Sequence, residues 1–304
     1  MPGMHRNRVK GGWKGRLSFQ RTVQLLSAAL FNGYAAGFYK GKIFTGGSKA
    51  VCVPVLNCYS CPGALGACPI GSLQAALGSG KRRFPFYVLG LLMLFGAVLG
   101  RAVCGLLCPF GLVQDLLHKI PVPKLRVPRA VDRPARYLKY GILLVLVVLL
   151  PACTGWEAGA ASPYFCKYIC PAGTLGGGFP LLLANAGLRQ AAGALFQWKV
   201  LVLMVILLAS TAIHRPFCKY LCPLGAFYAL FNRFSLYQMR LDGDKCVDCG
   251  KCRSACPMQV EVTQNINSCE CIRCGKCRSV CPTGAIASGF RCAGTPETAG
   301  EKDG

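Results

Sequence analysis

Cys246-Val-Asp-Cys249-Gly-Lys-Cys252-Arg-Ser-Ala-Cys256-Pro257 recurs almost unchanged as Cys271-Ile-Arg-Cys274-Gly-Lys-Cys277-Arg-Ser-Val-Cys281-Pro282. Each run spaces its cysteines x2, x2 and x3 and ends in proline, the spacing that wraps three thiolates around one face of an iron–sulfur cubane. The proline stops the local helix and removes a backbone donor. Zinc also takes Cys-x2-Cys pairs. Three evenly spaced cysteines with a fourth ahead of proline, twice over, point instead to two [4Fe–4S] clusters. The segment that carries them, residues 241–290, is polar and dense in cysteine, and is expected to form a small soluble α+β domain. The tail 291–304, with Gly, Pro, Thr and mixed charges, reads as disordered.

The segment resembles a bacterial-type two-cluster ferredoxin, in which the fourth cysteine of each run ligates the other cluster. On that pattern one cluster falls to Cys246, Cys249, Cys252 and Cys281, and the second to Cys271, Cys274, Cys277 and Cys256.

Upstream the chain changes character. Of 304 residues, 53% are hydrophobic and 15% charged, with 35 Lys+Arg against 11 Asp+Glu, a net charge of +24; an ordinary soluble domain is roughly a quarter charged. Two classes survive this arithmetic: a multi-spanning membrane protein with basic loops on one face, or a basic, zinc-containing nucleic-acid binder. The positions of the charges select the first and exclude nucleic acid as a partner. Thr22 to Tyr39, Phe84 to Gly100, Tyr140 to Trp156 and Val200 to Ile213 are apolar and free of ionised side chains, approaching the roughly 17 to 25 residues that a spanning helix needs. An all-α membrane domain of four transmembrane helices is therefore expected over residues 17–240, behind a basic tail at 1–16.

Lys and Arg gather in cytoplasmic loops. They crowd the first sixteen residues, the segment from Arg101 to Lys139 and the segment after the fourth stretch, from Arg215 to Lys245. Both termini and the ferredoxin domain are thus expected on the cytoplasmic side of the inner membrane, although Lys81, Arg82 and Arg83 run against that orientation. No cleavage signature follows the first apolar run, which reads as a retained anchor.

The membrane part repeats. Half one carries an outer loop with Cys58, Cys61 and Cys68-Pro69, then, past the second helix, Cys104-Gly-Leu-Leu-Cys108-Pro109. Half two carries Cys166-Lys-Tyr-Ile-Cys170-Pro171 and, past the fourth helix, Cys218-Lys-Tyr-Leu-Cys222-Pro223. Cysteines four apart share a helix face, so Cys104 and Cys108 can meet Cys218 and Cys222 as one inner ligand set. The outer set is less regular: position 64 is Ala, so Cys68, Cys166 and Cys170 need Cys61 or Cys58 to complete four ligands. These sets give room for one or two further iron–sulfur clusters. The stretches after Cys68-Pro69 and Cys170-Pro171 are expected to be re-entrant or surface-lying, tolerable only where protein shields the backbone. His118 and His214, near the cytoplasmic face, are candidates to touch a quinone or a metal; Cys52, Cys153, Cys269 and Cys292 fit no ligand pattern.

The whole pattern resembles the NapH/MauN type of membrane ferredoxin, related to the polyferredoxin part of NosR. Asn57-Cys58-Tyr59-Ser60-Cys61-Pro62, Ala67-Cys68-Pro69-Ile70-Gly71 and Cys218-Lys-Tyr-Leu-Cys222-Pro-Leu-Gly carry the resemblance. It implies an electron-transfer subunit of an oxidoreductase, working between quinol or a cytoplasmic donor and a redox partner across the membrane, with lipid around it. A flavoprotein or an extracytoplasmic reductase would be a separate chain, and quinone is admitted as a further ligand. The competing expectation is a maturation or regulatory factor that uses paired cysteines as dithiols to reduce metals or thiols for another metalloenzyme. Asp115, Asp132 and Glu157 are the only acids between Arg101 and Phe234, and no nucleophile, base and oxyanion set can be assembled.

Overall fold

The computed structural model describes residues 19–79, 85–158 and 162–291. The expected basic tail at 1–16, the Lys81–Arg83 cluster and the terminal segment with Cys292 lie outside the described residues.

Helices occupy all four apolar stretches. Ala194–Ala212 and the long helix Arg129–Thr154 are long and apolar enough to cross a membrane, and only 17% and 22% of their apolar windows are buried. A soluble core helix would be mostly covered; these present leucine, valine and methionine outward, among them Leu144, Leu149, Leu201, Met204 and Leu208. Phe86–Leu99 is equally apolar at 14 residues, about 21 Å at 1.5 Å per residue.

The first stretch is not one helix. Phe19–Phe31 stops, Asn32, Gly33 and Tyr34 turn, and Ala35–Lys40 resumes. The loop that bears Cys58 and Cys61 enters this break and pairs the backbone groups it frees. Leu65 N–H donates to Phe31 O at 3.0 Å, Tyr34 N–H to Gly63 O at 3.2 Å, and the Asn57 amide to Phe31 O at 3.2 Å. Such pairing is what makes irregular backbone tolerable away from water.

Helical turns widen at three places among the described residues, one of them Phe217–Leu221 directly after Pro216. The helix from Arg129 passes through a π-type turn at Leu143–Leu149, just ahead of Pro151, and Thr174–Gly178 does the same ahead of Pro180. A proline lacks the N–H for its i−4 carbonyl and its ring clashes there, so a wider turn relieves both faults.

The expected short segments are helices: Pro69–Leu77 on one side, and Pro171–Gly173 running through Thr174–Gly178 into Phe179–Ala184 on the other. Four Cys-Pro junctions upstream of the ferredoxin domain are built alike. Cys68, Cys108, Cys170 and Cys222 are each the extended N-cap of a helix whose first residue is proline, a position where the missing N–H costs nothing. In the last of them the N–H of Gly225, three residues after the cysteine, donates to Cys222 Sγ at 3.3 Å.

The ferredoxin domain is closed by β1 (Tyr237–Leu241) paired antiparallel with β2 (Ile286–Phe290), in register from Tyr237 opposite Phe290 to Leu241 opposite Ile286. Between them lie two one-turn helices, Lys251–Ala255 and Lys276–Ser279, each capped by a glycine in the left-handed region, Gly250 at φ 67° and Gly275 at φ 74°. These glycines turn the chain between the second and third cysteine of each run, where a side chain would be strained.

Candidate metal centres

The ferredoxin domain encloses two cavities, and the cysteines divide between them as the two-cluster pattern requires. One is lined by Cys256, Cys271, Cys274 and Cys277 with Met258 and Ile272. The other is lined by Cys246, Cys249, Cys252 and Cys281. The fourth cysteine of each run thus stands at the other run's cavity. Among the described residues no three His, Cys, Asp or Glu side chains converge on a point that one metal ion would fill. Four sulfurs around an apolar volume fit a cubane, whose thiolates bind separate irons, better than a tetrahedral zinc.

The structure also brings Cys104, Cys108, Cys218 and Cys222 together. All four are buried. Burial pushes the thiols of Cys104, Cys108 and Cys218 up to about 11. Cys222 rises well above its ordinary value through burial first and then through Cys218, Cys104 and Cys108 in turn.

At the outer set the two loop cysteines that the sequence offers have different neighbours. Burial raises Cys170, and Cys166, Cys58 and Cys68 each add to it, in that order. Cys58 is thus the loop cysteine that acts on Cys170. Cys61 has its sulfur 3.7 Å from Asn32 Oδ1 at the helix break and lies against Gly176, where a Cβ would stand 3.6 Å from it. Gly173 lies against the sulfurs of Cys58 and Cys170, where a Cβ would stand 3.6 and 3.9 Å from them. If the outer set holds iron, Cys58→Ala should lower the iron content by about four atoms per chain and Cys61→Ala should leave it unchanged, as measured by iron assay of the purified proteins.

Two arginines at the inner set carry more than topology. Arg101 and Arg215 stand three residues ahead of Cys104 and Cys218 and are fully buried. They cross over: Arg101 Nη2 donates to Cys218 O at 3.1 Å, and Arg215 Nη1 to Cys104 O at 2.7 Å. Arg215 is neutralised by Asp115, Nε to Oδ1 at 2.8 Å. Arg101 is neutralised from the ferredoxin domain, by Glu270 at 2.7 Å, and its Nη1 also reaches Cys269 O at 2.8 Å. Burial alone would raise the Glu270 carboxyl; Arg101, and after it Lys139, more than reverse this and hold it down to about 2. Asn232 completes the joint by donating to Ser268 O and Cys271 O at 2.6 and 3.0 Å while accepting from Arg101 N–H. Sequence reasoning counted both arginines only as charges at helix ends, although their equal offset from Cys-x3-Cys-Pro in both halves marked them.

The remaining candidates lie elsewhere. His214 Nε2 faces Asp115 at 3.2 Å, and His118 stacks edge-on to it at 5.2 Å between ring centroids while facing Ser210 O; neither joins a cysteine set. Cys52 is buried with its sulfur 3.4 Å from Ser72 Oγ, and Cys153 and Cys269 are exposed; all three are free thiols.

Comparison with known proteins places this architecture. A family described as a 4Fe-4S binding domain matches residues 66–87, 86–128, 158–183 and 196–240. A second, described as a 4Fe-4S dicluster domain, matches residues 238–282. The methylamine utilization ferredoxin-type protein MauN of Paracoccus denitrificans is 30% identical over 263 residues, 83% of this chain and 81% of its own. The ferredoxin-type protein NapH of Haemophilus influenzae is 30% identical over 176 residues, 55% of this chain and 51% of its own. An uncharacterised protein of Methanocaldococcus jannaschii is 31% identical over 180 residues, 57% of this chain and 58% of its own, so the match spans little more than half of that relative. No solved structure matches the chain. With 4Fe-4S motifs in both parts and a MauN relative matched along four-fifths of both chains, the protein belongs to the NapH/MauN family of ferredoxin-type proteins and its cofactors are [4Fe–4S] clusters.

Proposed function

We propose that the chain is a membrane-bound electron relay with four cluster sites. Two are the cavities of the ferredoxin domain, with the ligand sets Cys246, Cys249, Cys252, Cys281 and Cys271, Cys274, Cys277, Cys256. The third is Cys104, Cys108, Cys218 and Cys222, and the fourth Cys58, Cys68, Cys166 and Cys170. Each cluster, when bound, supplies one-electron chemistry; the chain supplies soft thiolate ligands, a dry surrounding and buried positive charge. The joint at Arg101 carries the proposal: one guanidinium touches the carbonyl of the inner ligand Cys218 and the residues immediately before Cys271. It thereby fixes the ferredoxin domain against the inner set.

Four membrane crossings fit this reading. Two helices have the length, the apolar faces of Phe86–Leu99 and Phe19–Phe31 are exposed at Phe86, Leu94, Leu26 and Leu30, and the cysteine sets fall near opposite ends of the helices. With the basic segments and the ferredoxin domain on the cytoplasmic side, electrons would pass between a cytoplasmic donor or the quinol pool and a redox protein at the outer set. The dithiol reading is less well supported. A reactive dithiol needs a lowered pKa and access, whereas burial drives Cys104, Cys108 and Cys218 in the opposite direction.

The test is reconstitution into sealed vesicles with ferricyanide trapped inside and dithionite added outside. Loaded protein should reduce the trapped ferricyanide, and vesicles without protein should not. Absence of transfer by fully loaded protein would contradict the relay.

A further inference from the structure

Gln74 and Gln114 hold the same place in the first half of the repeat, six residues after Cys68 and Cys108, and both are fully buried. Each reaches into the second half and makes the same contacts there. Gln114 Nε2 donates to Cys218 Sγ at 3.1 Å, and its Oε1 accepts from Phe217 N–H at 3.3 Å. Gln74 Nε2 donates to Cys166 Sγ at 3.4 Å, and its Oε1 accepts from Phe165 N–H at 3.0 Å. The remaining amide proton turns back to the carbonyl four residues earlier, Phe110 at 3.5 Å and Ile70 at 3.2 Å. The orientation of each amide is forced. A backbone N–H can only donate, so the phenylalanine fixes the oxygen end and leaves an N–H facing the sulfur.

The targets are the two copies of one motif, Phe165-Cys-Lys-Tyr-Ile-Cys-Pro171 and Phe217-Cys-Lys-Tyr-Leu-Cys-Pro223. The device is one-sided: the equivalent places six residues after Cys170 and Cys222 are Gly176 and Tyr228, and the Tyr228 hydroxyl donates away from the cysteines to Pro54 O at 2.8 Å. A buried amide whose only role was filling space would carry a desolvation cost that leucine avoids. Two such amides aimed at equivalent sulfurs have a different use. A hydrogen bond to a ligating sulfur stabilises the added negative charge of the reduced cluster and so raises its potential.

We infer that Gln74 and Gln114 are positioning residues that each set the potential of one membrane cluster, Gln74 at the outer set and Gln114 at the inner set, an inference that rests on the relay reading above. The experiment is an EPR-monitored redox titration of the full chain, purified anaerobically in detergent, with iron counted on every sample. Gln114→Met should lower the midpoint of one membrane cluster and Gln74→Met that of the other, each by roughly tenfold in the reduction equilibrium, ~59 mV for one electron, with the ferredoxin clusters unmoved. Should either methionine variant fail to assemble, Gln114→Leu and Gln74→Leu remove the donor with an uncharged side chain of similar size, and should show the same selective fall. Unmoved midpoints at full iron content would overturn the inference and leave the relay standing; so would both substitutions moving one and the same signal. Wild-type protein with only the ferredoxin clusters would bring down the relay, and the inference with it.

Discussion

Cys104→Ser and Cys222→Ser are each expected to remove about four iron atoms per chain, to abolish transfer across vesicles, and to leave both ferredoxin clusters in place. Serine keeps the size of the side chain but not the soft sulfur ligand. Both positions lie in a fully buried set whose thiols act on one another, so nothing else at that site replaces the lost ligand: the inner histidines face Asp115 and Ser210 instead. The cavities of the ferredoxin domain are lined by other cysteines, and their absorbance and iron should persist. Transfer at the wild-type rate in either variant would show that the inner set carries no electrons.

Arg101→Met has the second-largest expected effect, and it acts on the joint. Removing one partner of a buried ion pair leaves the other charge uncompensated and costs about 3–5 kcal/mol. Glu270 would retain Lys139 at 2.5 Å, which places the expected loss toward the lower end. The variant should release the ferredoxin domain at lower temperature or denaturant than the wild type, followed by bleaching of its cluster absorbance. Glu270→Gln alone strands both Arg101 and the fully buried Lys139, so the double variant should lose less than the sum of the two single ones; strict additivity of the two substitutions would argue against a direct pair. An uncharged probe of the same joint is Gly105→Ala, whose Cβ would stand 2.1 Å from Ile272 O. Nothing flexible is there to give way, so the domain must shift.

How much the sequence reveals depends on how local the cause is. The ferredoxin cavities follow from spacing alone, because one-turn helices and left-handed glycines within each run place three sulfurs, and the strand pair β1–β2 closes the unit. The inner set is legible through the repeat, since two Cys-x3-Cys-Pro motifs at equal positions can only meet across a pseudo-twofold relation. The outer set is not. Whether Cys58 or Cys61 completes it depends on a loop that enters a helix break at Asn32–Tyr34, and that break has no proline or charge to announce it. Hydropathy reads Thr22 to Tyr39 as continuous because Asn32 and Gly33 barely change an average, while the backbone partners that stabilise the break lie at Asn57, Gly63 and Leu65. Arg101 and Arg215 are hidden for another reason: a basic residue beside an apolar helix is ordinarily a topology marker, and only the fold shows these two turned inward. The widened turns before Pro151 and Pro180 leave no trace in hydropathy, although the prolines themselves stood in view.

The most direct measurement is an iron, acid-labile sulfide and zinc count on the full chain purified anaerobically in detergent. Four cysteine sets predict about sixteen iron and as much sulfide per chain, with no stoichiometric zinc. About eight iron would confine the clusters to the ferredoxin domain and contradict a relay through the membrane part.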